Sequence, residues 1–193
     1  MTKRVFLAGL LGGLAMFVWS SVAHVALPLG HTGIKEIPNE PAVLSAMHTS
    51  LGDAPGMYAF PGLGQADMKQ YRQKLAANPS GILIYHPPGA QALTAGQLVT
   101  EFLTELIESL LVVFLLAQTQ LRSFGARVGF VVVAGVVAAF VTNVSYWNWY
   151  GFPTSYTVAY MAIQIVGFLC VGLVAGAMVK PATVPAGARA AAA

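Results

Sequence analysis

Glu101, Glu105 and Glu108 stand four and three residues apart inside a predominantly apolar run from Leu98 to Ala117. At 100° per residue their carboxylates share one helical face. A carboxylate at bilayer depth is costly, so three within two turns must meet protein, water, a cation or one another. Such a stripe can bind a cation, exchange protons or hydrogen-bond to a partner helix.

Depth selects the residues that could join it. If the run enters the hydrocarbon near Leu98, Glu101 lies about 5 Å deep, Glu105 about 10 Å and Glu108 about 15 Å. His24, near the outer end of the first apolar run, matches Glu101, and Ser20 and Ser21 match Glu105. Asn143 falls near the outer boundary of the third run, and Tyr160 and Gln164 in the outer half of the fourth. The expected ligand or interface set is therefore Glu101, Glu105, Glu108, His24, Tyr160, Gln164 and Asn143. The inner half offers Cys170 and then Gln118, Thr119 and Gln120 at the exit. From Glu108 to Gln118 is about 15 Å of chain with only Ser109 among apolar residues, which favours a blind site opening outward over a channel.

His24 with Glu101 and Glu105 makes a mixed nitrogen and oxygen set of the kind that divalent metals take. The spacing matches neither Glu-x-x-His nor HExxH, so the reading without a cofactor is preferred and a divalent metal is the alternative. A bis-histidine haem would need a second intramembrane histidine. GxSxG, Walker and dinucleotide patterns are absent, and no catalytic residue is assigned.

These residues need helices to hold them. Of 193 residues 56% are apolar and 9% charged, too greasy for a soluble domain of this length. Four runs are long enough to cross a core of roughly 30 Å: Val5 to Leu27, Leu98 to Ala117, Val128 to Tyr146, and Thr157 to Val179. Ser21-Val22-Ala23 could end a signal peptide, but the apolar run continues to Leu27, which favours a retained helix. The small residues Gly9, Gly12 and Gly13 in the first run, and Gly172 and Gly176 in the fourth, are read as close-packing surfaces.

Lys3, Arg4, Arg122, Arg127, Lys180 and Arg189 all fall on one side of a four-span layout, and with residues 28–97 neutral they outweigh the three glutamates to give the net charge of +3. By the positive-inside rule both termini are cytoplasmic and residues 28–97 extracytoplasmic. The uncharged, aromatic turn from Trp147 to Tyr156 is expected at the outer boundary.

Residues 28–97 carry their own pattern. A helix start at Asn39-Glu40-Pro41 precedes an apolar face of Val43, Leu44, Met47 and Leu51. A second helix is expected from Ala66 to Ala77 with Met68, Tyr71 and Leu75 turned inward, and short strands at Met57 to Phe60 and Ile82 to Tyr85. This cap is expected to pack on the outer ends of the bundle. Thr94-Ala95-Gly96-Gln97 fits a capping box that opens the second membrane helix.

The fold expected is thus an all-α integral membrane protein: a four-transmembrane-helix bundle with a small α+β extracytoplasmic cap between helices 1 and 2. It divides into helix 1 (1–27), cap (28–97), helices 2–4 (98–179) and a disordered cytoplasmic tail (180–193). Compactness and richness in Ala, Gly and Val point to a bacterial inner membrane. The first functional expectation is a non-catalytic accessory or scaffold subunit whose carboxylate stripe is an interface. Its partners would be the lipid bilayer and another membrane protein or a second copy, with no nucleic acid. The alternatives are an outward-facing metal, quinone or lipid site, and a small proton-coupled transporter.

Overall fold

The computed structural model describes residues 2–180. The expectation for the tail lies outside the described residues, apart from Lys180. In chain order the elements are α1 (Lys3–Ser21), α2 (Glu40–Leu51), β1 (Gly56–Phe60), α3 (Met68–Ala77), β2 (Gly81–Tyr85), α4 (Ala95–Ala117), α5 (Phe124–Ala139), α6 (Ser145–Tyr150) and α7 (Thr154–Met178). Wider π turns extend α1 through Val22–Ala26 and join α5 to α6 through Phe140–Val144. Three continuous helices, Lys3–Ala26, Phe124–Tyr150 and Thr154–Met178, are long and apolar enough to cross a membrane. That is the pattern of an integral membrane protein.

The helix α4 is nearly as long, 23 residues, but carries the three glutamates. It begins where the sequence sets it: the Thr94 hydroxyl accepts from the Gln97 backbone N–H (3.2 Å), and the Gln97 side chain accepts from the Thr94 N–H (2.8 Å). Its outward stripe of Leu103, Ile107, Leu111 and Phe114 is exposed.

Small residues bring the long helices together. A Cβ on Gly13 would lie 2.8 Å from the Leu106 Cα, and one on Gly9 would lie 3.1 Å from the Leu110 Cα. Backbones that close admit only glycine. As α1 advances from Gly9 to Gly13, its neighbours on α4 retreat from Leu110 to Leu106, so the pair is antiparallel. Gly12 faces Val171 and Met16 faces Gly167, which makes α1 and α7 antiparallel as well. Helix α5 packs on α7 by the same rule, with Gly135 against Phe168 and Gly176 against Phe124 and Val128. Hence α5 runs parallel to α1, and α4 parallel to α7.

The core lies toward one end of this bundle. Val113, Val131, Val171 and Ala175 are fully enclosed there, with Leu116 at 1% exposure. At the same end Arg127 donates to the Val179 carbonyl, a cation at a helix C-terminus.

Several expectations shift. The aromatic turn is much shorter than Trp147 to Tyr156: helix continues to Tyr150, Gly151 closes it at φ 70°, and α7 starts at Thr154. Trp147 Nε1 donates to the Thr154 hydroxyl across the turn (3.1 Å). The two-stranded sheet is antiparallel, with Gly56 opposite Tyr85 and Phe60 opposite Gly81. The helix expected from Ala66 starts at Met68, because Asp67 and Gln70 form the capping box. Met68 and Leu75 are exposed, not turned inward, and neither α2 nor α3 has a buried residue. No element from α2 to β2 packs extensively on the long helices; of residues 28–97 it is the turn Pro28–His31 that packs on α7, where the Tyr160 hydroxyl donates to the Gly30 carbonyl. Met57, Met68 and Ile84 on the cap elements stay exposed.

Candidate functional site

All seven residues expected at the site line one cavity of about 240 Å³ between α1, α4, α5 and α7. Glu101, Glu105 and Glu108 come from α4, His24 from the π turn after α1, Asn143 from the π turn after α5, and Tyr160 and Gln164 from α7. Both departures from α-helical geometry therefore sit on this wall, where each re-aims a polar side chain.

Glu105 is the deepest of the stripe. It is 5% exposed, and its Oε2 has no hydrogen-bond partner. Glu108 is half-buried and Glu101 exposed at the mouth. Burial along α4 therefore departs from the expected depth order, in which Glu108 is deepest: Glu105 is the most enclosed of the three, because it faces α1 and α7 within the bundle.

The opposite walls are tied down. Trp19 Nε1 donates to the Ile163 carbonyl (2.8 Å), joining α1 to α7. Asn143 Nδ2 donates to the Ala139 carbonyl (3.0 Å) and to Gln164 Oε1 (3.4 Å). His24 Nδ1 lies 2.9 Å from the Ser20 carbonyl, which only accepts, so Nδ1 carries a proton and Nε2 is the ring's other polar atom. The chain after Leu27 turns back so that Gly30 lies against the His24 ring, and the Tyr160 hydroxyl donates to the Gly30 carbonyl (3.3 Å). The His24 and Tyr160 rings meet edge to face, 5.8 Å apart, and Tyr160 stacks on Tyr156 at 4.2 Å.

One expected set does not assemble. Among the described residues no three His, Cys, Asp or Glu side chains are arranged to hold a metal ion. His24 shares the cavity with Glu101 and Glu105, but its Nδ1 is committed to the backbone and its ring is held between Gly30 and Tyr160.

Trp19 and Thr104 also stand on the cavity wall, outside the set expected from sequence. Thr104 lies 60° from Glu101 on the helical wheel and could have been counted with the stripe. Trp19 reaches the wall just before the π turn, and no residue pattern announces that turn. Also unforeseen is Ser109, fully buried below the cavity, whose hydroxyl donates to the Gly9 carbonyl (2.8 Å) and pins α4 to α1.

The bundle and cavity define a class, a polytopic membrane protein with an acidic and aromatic pocket between its helices. Comparison with protein-family models, curated proteins and solved structures returns no match, so these residues alone carry the argument.

Proposed function

We propose that the chain is a four-span protein of a cytoplasmic membrane, bacterial by composition, whose outer half binds a small ligand reached from the extracytoplasmic side. One observation carries the site: a carboxylate only 5% exposed, with an unpartnered oxygen, on a cavity wall. A buried, unsatisfied polar group is expensive to maintain without a role. Binding also fits better than a helix–helix interface at the stripe, because Glu105 turns toward α1 and α7 of its own bundle.

The topology has independent support. With α1, α5 and α7 crossing and α5 parallel to α1, the chain must return across the membrane between them. The helix α4 is antiparallel to α1, about 34 Å long and apolar on its outward stripe, which suits it to that return. Both ends of the described chain then lie on one side, which the bias of Lys and Arg makes the cytoplasmic one, with residues 28–97 on the other. A membrane-impermeant maleimide should label Gln91→Cys in intact cells and Ser123→Cys only after permeabilisation, in a Cys170→Ala background. Labelling of both from one side would remove the four-span layout.

For the site, protein purified in mild detergent should release a small molecule in near-stoichiometric amount on denaturation. Mass spectrometry should find that amount reduced several-fold in Glu105→Gln. Ligand-free wild-type protein, with no stabilisation by any compound of an amine, quinone or lipid panel, would contradict the reading.

A second reading, an accessory subunit with an external partner, is favoured by the cap. Met57 and Ile84 pair across the sheet and are 70% and 64% exposed, and Leu93 is 81% exposed. Ile84→Lys should then loosen co-purification with a partner while leaving the helices folded.

A further inference from the structure

We infer that the cavity takes an organic cation, an alkylammonium group, with Glu105 as its counter-charge. The inference rests on the binding-site reading above and narrows its ligand class.

Charge gives the first argument. Three of the wall residues are glutamates, and among the described residues that line the cavity none is lysine or arginine. Carboxylates on low-dielectric walls concentrate cations and repel anions. Hydrogen-bond inventory gives the second. Glu105 Oε2 lacks a donor, while the Asn143 amide is already spent on the Ala139 carbonyl and Gln164. Glu105 Oε2 is therefore left as an acceptor open to a donor from a ligand. An ammonium brings up to three, for which the wall carboxylates are acceptors, and asks no donor of the wall, whereas a quinone carbonyl brings none.

Shape and wall chemistry give the third. Without three convergent ligands a bare divalent metal is poorly served. Trp19 and Tyr160 offer aromatic surface on the same wall, the surface that recognises alkylated ammonium groups. A ladder of rings leads toward it from the helix end: Tyr146, Phe152, Tyr156 and Tyr160, each 4.2 to 5.5 Å from the next. The volume, about 240 Å³, is below the roughly 300–1,000 Å³ of drug-sized sites, which suits a headgroup-sized ligand.

An alkylammonium can arrive as a free amine or as the headgroup of phosphatidylethanolamine. The test uses full-length Cys170→Ala/Thr104→Cys protein in nanodiscs of phosphatidylglycerol. The readout is the rate of modification by two methanethiosulfonates, one aminoethyl and cationic, one sulfonatoethyl and anionic, each normalised to its rate on glutathione. The cationic reagent should be favoured about tenfold or more, and Glu105→Gln should remove most of that preference. Protection by millimolar ethanolamine identifies a free amine; protection that requires phosphatidylethanolamine in the disc identifies a lipid. Equal normalised rates would overturn the cation inference and leave the outward-opening site standing. No reaction with either reagent would overturn both. Thr142→Cys on the opposite wall repeats the measurement should Thr104→Cys fold poorly.

Discussion

The two ends of the helix bundle are built from the same four helices and solve opposite problems. Toward the end that holds the N-terminus of α1, glycines draw α1 onto α4 and α5 onto α7 until backbones nearly touch, and Val113, Val131, Val171 and Leu116 fill what remains. At the opposite end two π turns, at Val22–Ala26 and Phe140–Val144, break that regularity, and a cavity with three glutamates opens between the helices. Lipid supplies little driving force for association, so close packing of small residues has to hold the assembly. The dry end can therefore carry the stability that the polar end gives up. The comparison teaches where to look for function: at the end whose side chains are poorly satisfied, supported by the end whose side chains are well packed.

Substitutions should separate the two ends. The largest effect is expected at Gly13→Leu, whose Cβ would meet the Leu106 backbone and force α1 from α4. Little folded protein should survive size-exclusion chromatography, and a normal yield would mean that this contact does not hold the pair. Leu116→Ala should cost about 2 kcal/mol in detergent unfolding, the low end of the range for buried leucines, because the unfolded reference in lipid is also apolar. Ser109→Ala, losing its hydrogen bond to Gly9, should cost roughly 0.6 kcal/mol. No loss of stability is expected at Glu105→Gln, which should leave stability unchanged or raise it, since it removes a buried charge whose Oε2 has no partner. A large destabilisation there would make Glu105 a structural residue and erase the contrast between the ends.

Much of this arrangement is legible in the residues. The capping box at Thr94 sets the register of α4, the 100° periodicity puts the glutamates on one face, and depth matching alone brings His24, Asn143, Tyr160 and Gln164 to the same level. Gly9, Gly12 and Gly13 are readable as a packing surface because only close backbones reward such a run. The π turns are not readable, since an extra residue in a helical turn leaves no periodic trace in a uniformly apolar run. Trp19, beside Ser20 and ahead of the π turn, is at a depth the sequence does match, and it escapes notice because an indole in an apolar run reads as a packing residue. The cap's strands follow from their Gly and Pro boundaries, yet its packing does not, because α3 has its apolar residues exposed.

The most direct test of an outward-opening polar cavity above a sealed inner half is sided labelling of Thr142→Cys in otherwise wild-type protein, with Cys170 as the internal control. In sealed vesicles of known orientation, a small hydrophilic thiol reagent should modify the introduced thiol from the extracytoplasmic side only, and peptide mapping should find Cys170 unmodified from either side. Modification of the introduced thiol from the cytoplasmic side, or no modification from the outside, would contradict the account.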